Sequence, residues 1–200
     1  MAPFRQISRQ LALHPARPLQ RQQLRPAAVL VPLFLRHDQP WVLLTRRSEH
    51  LKHHAGEISF PGGGVEPEDA DLWQTALREN EEEMGIAAAD VRRLGRLDDF
   101  ISVYGYLVTP YVGSFRDPYP YRIASGEIAE VLEFPLQRLR DPQSYHREER
   151  RHQGRTRAVD SYRLDGHTIW GMTAAILKQL LHRLEPFFAG ADGAGKQLSL

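Results

Sequence analysis

The sequence predicts an α/β fold, a mixed sheet packed between helices, and three observations lead to it. Short apolar runs bounded by turn residues alternate with longer stretches of helical periodicity. With 200 residues and 42% hydrophobic content, the chain suits one globular domain with a core of its own. No internal repeat and no convincing linker divides it.

The elements follow in order. Residues 1–25 hold Arg5, Arg9, Arg17, Arg21 and Arg25 and no acid, which reads as a basic, solvated and partly ordered lead-in. "AAVLVPLFL" (27–35) and "WVLLT" (41–45), separated by the turn-forming "RHDQP", read as neighbouring strands. A helix is expected over roughly residues 70–84, with Asp69 or Asp71 as its N-cap and Gly85 ending it. Further strands are read at 99–115, broken near Gly105, at 131–136, and at 161–166 with an aspartate–glycine turn. "MTAAILKQLLHRL" (172–184) has apolar residues at three- and four-residue intervals and reads as the closing helix. The globular domain is thus assigned to 26–186, and 187–200, small, polar and glycine-rich, to a disordered tail.

Composition excludes several kinds of chemistry. With no cysteine there is no thiolate nucleophile, disulfide or cysteine-held metal, so any metal must be held by oxygen or imidazole. A formal charge of +1 gives no global attraction to nucleic acid, and no apolar run reaches the roughly 20 residues that span a bilayer. A cytoplasmic protein acting on a small molecule, without nucleic-acid or membrane partners, is the expectation; a homodimer is compatible with it.

One segment carries most of the chemical information. "RENEEEMGI" (78–86) places Glu79, Glu81, Glu82 and Glu83 in the last turns of the expected helix. At about 100° per residue, Glu79, Glu82 and Glu83 share one face and Glu81 points away. Like charges at this spacing repel and oppose the helix dipole, each by a few tenths to about 1 kcal/mol. Arg78 relieves part of this by pairing with Glu82, but one cation does not balance three anions. Clustered carboxylate oxygens suit a hard divalent cation, Mg2+ or Mn2+. Upstream, "FPGGGVEPED" sets Gly62 to Gly64 in a loop where backbone can approach a ligand or ion closely. Loop and acidic face together suggest a metal–phosphate site.

At these residues the chain resembles the Nudix hydrolases. Gly63 opens their characteristic box, and Arg78, Glu79, Glu82, Glu83, Gly85 and Ile86 close it. Two departures stand out: Asp69, followed by eight residues rather than seven, replaces the first glutamate, and Asn80 fills a normally apolar position. "LLTRRSEHLKHHAGEISFPGG" (43–63) resembles the signature of the coenzyme A pyrophosphatase subgroup, whose boxes share the longer spacing; Lys52 stands at an arginine position. "IWGMTAAIL" (169–177) looks like that subgroup's C-terminal helix start, and the resemblance spans residues 27–184.

The resemblance implies a Nudix-type α/β/α sandwich with a mixed β-sheet. It implies that Glu79, Glu82 and Glu83 are metal ligands, with Gly63 adding a backbone carbonyl, and that Arg78 orients the carboxylates. Glu127, near Glu130 and Glu133, resembles a later glutamate that binds metal or helps activate water. The implied reaction hydrolyses coenzyme A or its acyl or oxidised forms to 3′,5′-ADP and 4′-phosphopantetheine. Arg46, Arg47 and Lys52 are candidate phosphate contacts; Ser59 and Phe60 either position the ligand or pack the loop. His53 and His54 are read as exposed or structural. Two other readings are a Nudix hydrolase for another diphosphate such as ADP-ribose and a noncatalytic nucleotide-binding module.

Overall fold

The computed structural model describes residues 2–21, 23–51, 54–152 and 155–195. Its elements are α1 (Ala2–Leu13), β1 (Arg25–Arg36), β2 (Gln39–Arg47), β3 (Ile58–Ser59), β4 (Gly62–Gly64), α2 (Leu72–Met84), β5 (Arg92–Arg96), β6 (Phe100–Ile101), β7 (Tyr106–Ser114), β8 (Ile128–Pro135), α3 (Leu136–Arg140), β9 (Tyr145–His152), β10 (Arg155–Leu164), β11 (His167–Trp170) and α4 (Gly171–Gly195). The mixed sheet runs β3-β2-β1-β7-β5, with β4 on β1, β6 on β7 and β8 on β2; β1 and β7 are parallel.

Two cores make this a sandwich. Strand residues alternate in direction, so Val31 and Leu33 of β1 join Leu177, Leu180 and Leu184 of α4, while Leu30 and Phe34 join Leu77 and Met84 of α2. The β1–β2 hairpin turns through His37 and Asp38, both left-handed (φ 52° and 58°), as a two-residue turn between twisted strands requires. The Asp165–Gly166 turn joins β10 to β11 in the same manner.

Helices run into both of the segments read as lead-in and tail, α1 over Ala2–Leu13 and α4 as far as Gly195. In α1, Ile7 and Leu11 are one helical turn apart and buried in the α4-side core. Behind them Arg183, 6% exposed, donates to the carbonyls of His14 and Arg96 and pairs with Asp98 (2.6 Å). Helix α4 continues to Gly195; residues 196–200 lie outside the described residues. Three strands, β9 to β11, form a second small sheet whose Tyr162, Leu164 and Ile169 join the same core. Among the described residues no helix is long and apolar enough to cross a membrane.

Candidate active site

The acidic helix is fixed at both ends. Asp71 caps it, its side chain accepting from Gln74 N (2.8 Å), and Gly85 ends it in the left-handed region (φ 68°), donating to Glu81 O. Beyond that end, the nitrogens of Arg122 and Ala124 donate to the carbonyls of Met84 (2.9 Å) and Glu83 (3.0 Å). The loop before β8, which carries Glu127, thereby caps the helix C-terminus. Asn80 is fully buried; its amide nitrogen donates to Ile86 O (3.2 Å), while its Oδ1 is buried without a partner.

The glycine run forms β4 and pairs with β1 at Val29, Ala28 and Ala27. A methyl group at Gly62 would run into Ala28 O and Val29, and one at Gly63 into the Glu79 carboxylate. At Gly62 the obstacle is backbone, so only glycine fits there, whereas at Gly63 a methyl would displace the Glu79 carboxylate.

Arg78 organises the near side. Its Nε and Nη2 each lie 3.1 Å from an oxygen of Asp69, Nη2 donates to Gly64 O (2.9 Å), and Nη1 reaches Glu79 (3.0 Å) and Glu82 (3.1 Å). This fork holds the Asp69 carboxyl down to about 2. Asp69, which in sequence is only a departure from the box or a candidate cap, is therefore the anchor that aims Arg78. Its signal was its place before the helix, nine residues ahead of Arg78.

Glu83 sits on the far side, 5% exposed, with Oε2 buried and unpaired. Burial pushes its carboxyl up to about 8; Arg47 opposes that, the charges of Glu79 and Glu127 add to it, and a hydrogen bond from the Gly62 backbone opposes it. Burial likewise raises Glu79, against the pull of Arg78. Glu79, Glu83, Glu127 and Arg47 therefore belong to one electrostatic site. Glu82 is the outer member, its side chain 58% exposed, and Glu81 points away to accept from Ala88 N (3.0 Å).

The other candidates separate by strand direction. Arg47 and Ser59 follow the residues of β2 and β3 that face α2, and Arg47 Nε is buried without a partner. Arg46 is instead held by Glu130 (2.9 Å) and Glu49 (3.8 Å). Phe60, 4% exposed, packs into the α4-side core, so the structure assigns it packing rather than ligand contact. Lys52 and His53 lie outside the described residues. His54 pairs with Glu57 (2.7 Å) and packs edge-on against Tyr104 (4.6 Å).

Among the described residues, no three acidic or imidazole side chains form a ready-made metal cluster. Glu79 and Glu82 are turned toward Arg78 instead. The donor set nevertheless fits a hard divalent ion, because a buried carboxylate oxygen without a partner stands beside a second partly buried carboxylate and a glycine backbone. A depression of about 450 Å³ on the outer side of α2 takes in Arg78 and Glu82 but neither Glu79 nor Glu83.

Residues 24–154 match the family described as the NUDIX domain. The chain belongs to the Nudix family. Over 156 residues it is 42% identical to proteins called "Uncharacterized Nudix hydrolase NudL" from Escherichia coli (strain SMS-3-5 / SECEC) and Shigella boydii serotype 18, covering 78% of this chain and 81% of theirs. The Nudix fold is also that of a MutT/nudix family protein from Enterococcus faecalis (TM-score 0.51, 17% identity, 83% of this chain and 64% of that one). A NUDIX hydrolase from Alicyclobacillus acidocaldarius has a TM-score of 0.50 at 19% identity, over 80% of this chain and 91% of that one. In this Nudix domain Asp69, for all the longer spacing that follows it, reaches Arg78 with both oxygens.

Proposed function

We propose that this Nudix hydrolase cleaves the diphosphate bond of coenzyme A and its derivatives, giving 3′,5′-ADP and 4′-phosphopantetheine. The observation that carries the reading is the pair of unpartnered buried groups, Glu83 Oε2 and Arg47 Nε, whose charges act on one another and to which the Gly62 backbone adds a hydrogen bond on Glu83. One suits a cation and the other a phosphate oxygen. The subgroup-like segment 43–63 supports the finer specificity, because it supplies Arg47, Ser59 and Gly62–Gly63 in one continuous stretch.

Glu79, Glu82 and Glu83 with the Gly63 carbonyl would hold Mg2+ or Mn2+, with Glu127 beside them. Such an ion supplies charge neutralisation on the diphosphate and activation of water. The chain's own groups do the rest. Arg78, aimed by Asp69, holds Glu79 and Glu82 in place. Arg47 offers a donor to a phosphate oxygen, and Gly62–Gly64 let the ligand approach the backbone. Water's oxygen forms the new bond to phosphorus as the bridging P–O bond breaks. Initial rates on coenzyme A, ADP-ribose and a diadenosine polyphosphate test the specificity. The reading expects kcat/KM for coenzyme A to exceed the others by about tenfold or more; equal or reversed rates refute it.

A further inference from the structure

The sheet face that bears the carboxylates extends beyond the part covered by α2. Gly63 marks that face, since a methyl there would meet Glu79, and Ala28 of β1 and Thr109 of β7 lie in its row. The next row, Gly64, Ala27 and Val108, turns to the opposite face, where Ala27 and Val108 are buried. The row after it returns to the carboxylate face. There Val65 N donates to Pro26 O (3.3 Å), Pro26 lies opposite Leu107, and Leu107 lies opposite Ile101. These four aliphatic side chains form a ledge about 7 Å from the Gly63 row, two strand residues away.

The ledge is exposed where a core would not be. Val65 is 40% and Ile101 50% exposed, and the turn after β6 continues the apolar surface with Val103 at 77%. Tyr104 in that turn packs against His54, in the loop that follows Arg47, so one loop borders both ledge and phosphate-facing side. The row crosses three inter-strand steps, about 14 Å from Val65 to Ile101. An extended arm of two amide units and a thiol-bearing ethyl group has a similar reach, roughly 12–14 Å. The four residues of the row offer no polar side chain with which to read a purine, but they suit methyl and methylene groups.

We infer that this ledge seats the pantetheine arm of the substrate, with its branched methyl groups on Val65 and Pro26 and its thioester end at Ile101 and Val103. The inference rests on the coenzyme A reading and adds where the non-nucleotide half lies. It makes the enzyme sensitive to an acyl chain that continues over Ile101 and Val103.

The test compares kcat/KM for free, butyryl- and octanoyl-coenzyme A in the wild type and in the double variant Ile101→Asn/Val103→Asn. An open ledge that covers one side of the chain should raise kcat/KM roughly twofold per methylene, or about sixteenfold over the four methylenes from butyryl to octanoyl, mainly through KM. The double variant should flatten that slope to less than about twofold. A flat wild-type series, or an unchanged slope in the variant, overturns the ledge while leaving coenzyme A cleavage standing. Cleavage of ADP-ribose but not of free coenzyme A removes the functional reading itself, and the ledge with it. A variant that halves the solution mass without altering the slope assigns the surface to a second copy of the chain and likewise overturns the inference.

Discussion

Replacing Glu83 by glutamine should stabilise the metal-free protein while removing its activity. The carboxyl ordinarily titrates near 4.5 but in the folded protein near 8, because it is 5% exposed and close to the charges of Glu79 and Glu127. The folded state therefore holds a proton that the unfolded state releases. The group's favourable contribution is complete below about pH 4.5 and is lost as pH rises through about 8. Each tenfold difference in proton affinity between the two states is worth about 1.4 kcal/mol, so the wild type should lose about 3 kcal/mol between about pH 5 and pH 8. That is a large share of a typical 5–15 kcal/mol. Glutamine keeps the shape and removes the ionisation, so this part of the pH slope should vanish. Urea titrations in a chelator at several pH values read both slopes. Magnesium should restore wild-type stability at about pH 8 more than it does the variant's. Parallel pH profiles for the two proteins would refute the argument that Glu83 is held as a strained acid.

Other substitutions separate the parts of the site. Glu83→Gln should lower kcat by about a hundredfold or more, whereas Glu81→Gln, on the other side of α2, should stay within about twofold of wild type in the same assay. Gly63→Ala forces a methyl into the Glu79 carboxylate and should cost about 1–3 kcal/mol of stability by urea titration, with weakened metal binding by calorimetry. Arg183→Met leaves Asp98 and two carbonyls without their buried partner and should cost about 3–5 kcal/mol in thermal or urea unfolding.

The acidic face of α2 was legible because helical geometry alone separates Glu81 from Glu79, Glu82 and Glu83, and because capping chemistry marks both ends. The glycine run was legible as a close approach, though not as a strand, since three glycines carry no apolar pattern. Asp69 was harder, because its role depends on Arg78 folding back across the helix start. Arg46 and Phe60 look like neighbours of Arg47 and Ser59 in sequence, but strand alternation sends each pair to opposite faces. The second sheet was only partly visible: β9 reads "YHREERRH", with no alternation to announce a strand, and its pairing with β10 supplies what its composition does not. Helix α1 rests on two buried anchors, Ile7 and Leu11, too few to stand out among its polar neighbours.

Incubating the protein with coenzyme A and magnesium or manganese, beside a chelated control, and weighing the products by mass spectrometry shows whether coenzyme A is cleaved at its diphosphate. Equal amounts of 3′,5′-ADP and 4′-phosphopantetheine, formed only when the metal is present, are expected. Intact coenzyme A under both conditions, from folded protein, would contradict the proposed cleavage.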